Sequence, residues 1–335
     1  MKQRIKHIQD NFPIIDAHYD MLIDVTSKRL KGQIKVIEND YLQEFQKSGA
    51  NLIVCSIFID DQFVPEMALR QALDQISALY CEIEESSEYI MLCKTYDDIQ
   101  QAIKEKKVGF LLSFEGVEPL GNDINLLKIF YELGVRLVGL VWSRRNYAGD
   151  GSNFKEIEEG KKGGLTNFGI QIVRKAEELG MIIDVSHLND EGFWDVISIS
   201  KNPVIASHSD CRELCNVMRN LEDDQIKAIA KSGGVIGMNV CSNFVAENDE
   251  DKNYKTLANH VDYIAKLVGV QYVGFGFDFC DFLRGGHDGI VFDVIKSYKE
   301  TELFIQELIS RGYTDDEIKM ITGQNFLNLY KKVLK

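Results

Sequence analysis

Eight short apolar runs punctuate this chain, at 13–19, 51–59, 108–115, 135–142, 181–187, 203–208, 234–241 and 272–278. Longer amphipathic stretches fall between them, among them 65–85, 125–134, 166–180, 223–234 and 253–269. Several of these end in Gly, the residue that most readily takes the left-handed conformation past a helix. Continuous apolar strands alternating with helices are the pattern of a parallel sheet covered on both faces. Eight such units predict an α/β fold, a closed (β/α)8 TIM-type barrel rather than an open doubly wound sheet. The tail 314–334 reads as one or two extra C-terminal helices packed outside the barrel, and the charged insert 153–165 as a surface loop. No Pro-, Gly- or Ser-rich linker divides the units, and Pro occurs 4 times in the chain. The expectation is one barrel domain over 1–335.

A chain of 335 residues, 45% of them hydrophobic, can bury a large core. Its net charge of −14 argues against nucleic acid or an anionic membrane surface as a partner. No apolar run reaches the roughly 18 residues of a membrane span. The N-terminal MKQRIKHIQDNFPIID lacks the apolar stretch and cleavage site of a signal peptide. The 7 cysteines are odd in number, and Cys55 and Cys241 lie in apolar runs, which suits reduced, buried thiols and a cytoplasmic location.

In a barrel of this kind the strand ends converge on one face, and chemistry gathers there. His18 and Asp20 close the run PIIDAHYD, and alternation along a strand puts both in the barrel mouth with Asp16 one layer deeper on the same face. Glu115 ends VGFLLSFE; a buried carboxylate needs a partner, and a metal cation or an arginine would each serve. His187 and His208 end neighbouring strands 21 residues apart, one β/α repeat. Serines flank both, in VSH and SHS, as candidates to orient neighbouring groups. In YVGFGFDF, strict alternation turns Gly274, Gly276 and Asp278 inward and Phe275, Phe277 and Phe279 outward. Nitrogen and oxygen donors without thiolate suit Zn²⁺, with Mn²⁺ or Co²⁺ able to substitute. Five protein ligands exceed the three usual at one catalytic zinc, which points to two ions with Glu115 as the bridge. His7, His260 and His287 are read as non-ligands.

With these pieces in place the chain resembles the membrane (renal) dipeptidase family of zinc peptidases. The resemblance runs from about residue 10 to residue 330 and rests on DAHYD (16–20), FEG (114–116), DVSH (184–187), SHS (207–209), MRNLEDD (218–224) and GFDF (276–279). It implies that His18 and Asp20 bind one zinc, His187 and His208 the other, and that Glu115 bridges them. It makes Asp278 the acid that moves a proton at the attacking water. It makes Arg219 the grip on the dipeptide's C-terminal carboxylate, a task suited to a guanidinium fork. The implied reaction is hydrolysis of a dipeptide, D-residues at its C-terminal position included, by a hydroxide bridging the metals.

One departure stands out. Trp142 occupies the place near the end of the fourth strand where the mammalian relatives carry a histidine, and Phe244 stands where a polar aromatic is expected. Carbonyl polarisation would then fall to the metal, aided by Asn146 or Arg144, and Trp142, Asn146 and Arg219 are the expected substrate-binding residues. A related amidohydrolase acting on a lactone or cyclic amide is the alternative, although the bridging lysine common in such barrels is absent from VGLVWSRR. A non-hydrolytic metal-binding relative is a third reading. A homodimer stays open.

Overall fold

In the computed structural model, residues 1–153, 160–283 and 291–334 are described. The strands are β1 (Ile14–Tyr19), β2 (Ala50–Phe58), β3 (Ile90–Leu92), β4 (Val108–Glu115), β5 (Val135–Gly139), β6 (Ile182–Asp184), β7 (Ile236–Met238) and β8 (Val273–Phe275). They pair in parallel in the order β6-β5-β4-β2-β1-β8-β7. The two ends meet through residues 205 and 206: Asp184 bridges Ile205 and Ala206 bridges Ile236, both in parallel. The run 203–208 is therefore the stave that joins β6 to β7, reduced to two bridging residues. β3 was not expected. It pairs with the first residues of β4, Ile90 with Val108, on the edge that β5 takes over from Leu112 onward.

Alternation sorts the side chains as β8 shows. Phe275, Phe277 and Phe279 are buried under the outer helices, and the glycines between them line the lumen. A Cβ on Gly276 would come within 1.7 Å of the Ser207 carbonyl oxygen, and one on Gly237 within 1.9 Å. Close approach of the Ser207 carbonyl, from the stave beside β7, demands glycine at both, and no phosphate loop is involved.

The tail departs from expectation. Helices Thr301–Ser310 and Asp315–Lys319 follow the barrel, but the last helix, Asn325–Val333, is not an outer layer. Phe326 and Tyr330 pack with Ile15, Leu52, Leu111, Leu137, Ile182, Ile205 and Val235 at the starts of the strands. Asn325 Nδ2 donates to the carbonyls of Val270 and Val273. An open barrel bottom would leave that apolar layer in water, and this helix plugs it.

Among the described residues no helix is long and apolar enough to cross a membrane. All 7 cysteines are free, and five are buried. His287 and part of the 153–165 insert lie outside the described residues.

Candidate metal centre

The mouth of the barrel is held in place by unusual backbone. His187 (φ 68°) and Asp278 (φ 56°) both adopt the left-handed region, costly for residues with a Cβ and typical of sites where side-chain aim matters more than local comfort. β1 carries a register shift between Asp16 and Tyr19. The shift breaks strict alternation and corrects the placement of Asp16. Its carboxylate accepts from Tyr298 Oη at 2.5 Å and Phe277 N at 2.9 Å, away from the donor cluster, and from His18 N at 3.2 Å. Asp16 thus ties β1 to β8 beneath the site, while His18 and Asp20 face into it.

Five side chains converge. Glu115 Oε1 lies 2.9 Å from His187 Nε2, 3.7 Å from His208 Nε2 and 3.6 Å from His18 Nε2. His187 and His208 bring their Nε2 atoms to 2.9 Å of each other. Asp20 Oδ1 is 3.7 Å from His18 Nε2. Two of the groups whose ligand atoms lie within 4.8 Å of one another are Glu115–His187–His208 and His18–Asp20–Glu115, and Glu115 belongs to both; His18–Asp184–His208 and Asp20–Asp278–Cys280 meet the same distance.

The electrostatics are those of a cluster lacking a counter-charge. Burial, reinforced by Asp20, pushes Glu115 up to about 8. Burial opposes charge on His18, but Glu115 and Asp20 outweigh it and hold His18 well above the usual histidine range. Burial, together with His18 and Arg219, drives His187 and His208 far down. Both ring nitrogens of His18, and Asp20 Oδ1, are buried without a hydrogen-bond partner. Orphaned donors aimed at one point fit divalent cations, which would satisfy them together.

Around the cluster lies a largely apolar cavity of about 810 Å³, walled by Ile23, Phe58, Trp142, Val217, Phe244 and Leu283 among others. Asp278 lines it; its Oδ2 accepts from Asn239 Nδ2 at 2.9 Å, and its Oδ1 lies 4.0 Å from His18 Nε2. Trp142 lines it as well, edge-on to Phe58 with ring centroids 5.1 Å apart. Arg219 is buried, with one terminal nitrogen on Ser209 Oγ and the other on the His208 carbonyl, each at 2.7 Å, and Nε without a partner.

Two expected helpers are occupied elsewhere. Asn146 donates to the Leu140 carbonyl and accepts from Ala148 N, shaping its own loop. Arg144 is held by Glu118, Asp61 and the Ile59 carbonyl. His260 is a core residue, accepting from Cys211 N and reaching the Val245 carbonyl, and His7 pairs with Asn11 on an exposed helix. Sequence reasoning missed Ser143, whose hydroxyl lies 2.9 Å from His187 Nδ1. It also missed the buried Asp184, which accepts from Ser207. The Asp in DVSH, two residues after an inward position, was the one available signal for Asp184.

A parallel barrel with imidazoles and carboxylates converging at the C-terminal ends of its strands is the build of a metal-dependent hydrolase. The family model described as membrane dipeptidase (peptidase family M19) matches residues 2–335. The chain belongs to that family, and it is a metallopeptidase of the hydrolase class. It is 27% identical to dipeptidase 3 of Homo sapiens, over 100% of this chain and 68% of that protein. It is 31% identical to an uncharacterised protein in the pqqA 5′ region of Klebsiella pneumoniae, over 77% of this chain and 94% of that one. Among solved structures, a metallopeptidase from Rhodobacter sphaeroides, liganded with a phosphinate mimic of the dipeptide L-Ala-D-Ala, superposes with a TM-score of 0.85. That match has 23% identity and covers 97% of this chain and 100% of the other. The probable dipeptidase PvdM of Pseudomonas aeruginosa gives a TM-score of 0.85 at 22% identity, covering 99% of this chain and 98% of the other.

Proposed function

We propose that this protein hydrolyses dipeptides, those with a C-terminal D-residue among them, using two zinc ions held by His18, Asp20, Glu115, His187 and His208. The observation that carries the reading is the sharing of Glu115 between two donor triads, in one of which both His18 ring nitrogens and Asp20 Oδ1 are buried without a hydrogen-bond partner. When bound, the ions would supply a water acidified to a nucleophile near neutral pH and would polarise the scissile carbonyl.

The chain's own residues do the rest. Asp278, anchored through Oδ2 by Asn239, presents its other oxygen to the cluster; there it takes the proton of the attacking water and returns it to the leaving amine. Arg219 has no carboxylate in its hydrogen bonds, and its unpartnered Nε is suited to the C-terminal carboxylate of the substrate. Trp142 and Phe58 form an apolar wall of the cavity that Glu115 and His187 also line; position 142 holds no histidine to polarise the scissile carbonyl, and bound ions would supply that chemistry. A relative that holds an L-Ala-D-Ala mimic supports acceptance of a D-residue.

The test is a panel of L,L- and L,D-dipeptides, their C-terminal amides and a set of lactones, offered to zinc-loaded protein. Hydrolysis confined to free dipeptides supports the reading. Turnover of lactones alone, or of nothing, contradicts it.

A further inference from the structure

We infer that the two ion sites are unequal, the His187–His208 site being the tight one because Ser207, Asp184 and Ser143 position its imidazoles while nothing equivalent holds His18. The inference rests on the reading that this cluster takes up two ions.

An imidazole that binds a cation through Nε2 carries its proton on Nδ1, and an acceptor there fixes both tautomer and ring orientation. His208 has that acceptor: its Nδ1 lies 2.6 Å from Ser207 Oγ. The Ser207 hydroxyl has one proton, and it goes to Asp184 Oδ2 in a very short hydrogen bond. Ser207 must therefore accept from His208. Asp184 is fixed in turn, its Oδ1 accepting from Ser186 N at 3.0 Å and Ser207 N at 2.9 Å. Ser143 offers His187 the same service at 2.9 Å. The His187 carbonyl accepts from Ser152 N at 2.7 Å, holding the strained residue in place. The two Nε2 atoms lie 2.9 Å apart, and a cation bound by both requires each ring to carry its proton on Nδ1, where Ser207 and Ser143 stand within hydrogen-bond distance.

His18 differs. Neither ring nitrogen has a hydrogen-bond partner among the described residues. The ring is placed by stacking on His208, with centroids 3.7 Å apart and planes at 29°; stacking sets the plane but not the tautomer. Asp184 comes within 4.8 Å of a His18 nitrogen without bonding to it. Asp20 Oδ1 is unpartnered too. An ion arriving at His18 and Asp20 must order these groups itself, and it meets a Glu115 already partly neutralised by the first ion. Asp184, Ser207 and Ser143 are thus positioning residues for one site, and loading is sequential.

The experiment is titration of metal-free protein with Zn²⁺ in competition with a chromophoric chelator, which reads the number of steps and the affinity of each. The wild-type chain should show two steps separated by about tenfold or more. Asp184→Asn and Ser207→Ala should each weaken the tight step by about 10–100-fold and leave the weak step unchanged, while Ser207→Thr restores it. His18→Ala should delete the weak step and keep the tight one. If Asp184→Asn fails to fold by circular dichroism, Ser207→Ala decides. Two equal steps in the wild type, or variants that weaken both steps alike or neither, overturn the inference and leave the proposed function standing. No uptake of zinc at all removes the proposed function itself.

Discussion

His187 Nε2 lies 2.9 Å from Glu115 Oε1 and 2.9 Å from His208 Nε2. Three donor atoms from β4 and the ends of two later staves, that close and that deeply buried, share one point in space. No single strand could assemble this. Closure of the barrel through residues 205 and 206 brings His208 beside His187, and the left-handed backbone at His187 turns its ring inward.

Asp278→Asn keeps the hydrogen bond to Asn239 within reach but removes the base. Its metal content should match the wild type, and kcat should fall by about 10²–10⁴-fold, the usual range for a lost general acid–base. Metal analysis alongside steady-state kinetics checks both halves; a variant with full kcat removes Asp278 from the proton path.

Arg219→Met should raise KM far more than it lowers kcat, with kcat/KM down about tenfold to a hundredfold, the range for losing hydrogen bonds to a charged group. The variant should also lose most of the discrimination between free and C-terminally amidated dipeptides. Unchanged discrimination would assign the carboxylate to another residue.

His260 predicts a pH dependence of stability that is independent of the metal site. Burial, partly offset by its bond to the Val245 carbonyl, lowers it from 6.5 to about 4. The unfolded chain therefore binds the proton first as pH falls. The stability that depends on neutral His260 is complete above about 6.5 and drains away between 6.5 and 4, about 3 kcal/mol in all. Denaturant unfolding of metal-free protein across that window should show a shallower slope for His260→Gln than for the wild type.

Phe326→Ala removes the ring that fills the space against Gly274 at the closed end of the barrel. It should cost about 3–5 kcal/mol, the range for an aromatic deleted from a packed core. The donors sit at the opposite ends of the strands, so zinc stoichiometry should stay the same. Equilibrium unfolding and metal analysis together separate the two effects.

Much of this was legible in the residues. Each of the eight apolar runs became a stave, because a lumen buried on all sides tolerates little but continuous apolar sequence, and the glycine–aromatic alternation of β8 sorted inside from outside without error. Asp16 was misplaced because a register shift in β1 leaves no mark on the pattern of residue types. The last helix was read as an outer layer because an amphipathic helix carries the same stripe whether it covers a sheet or plugs a barrel. Ser143 and Asp184 meet the histidines only through the stagger of neighbouring strands, which one sequence does not encode locally. The substrate grip proposed for Arg219 rests on family resemblance; the structure shows the residue buried with its Nε unpartnered.

Metal content paired with turnover tests the central claim most directly. Protein stripped with a chelator, reloaded with Zn²⁺ and measured for bound metal and for hydrolysis of an L,D-dipeptide should hold two ions per chain and regain activity as the second binds. Hydrolysis at an unchanged rate by the stripped protein, or a chain that holds no zinc, would contradict it.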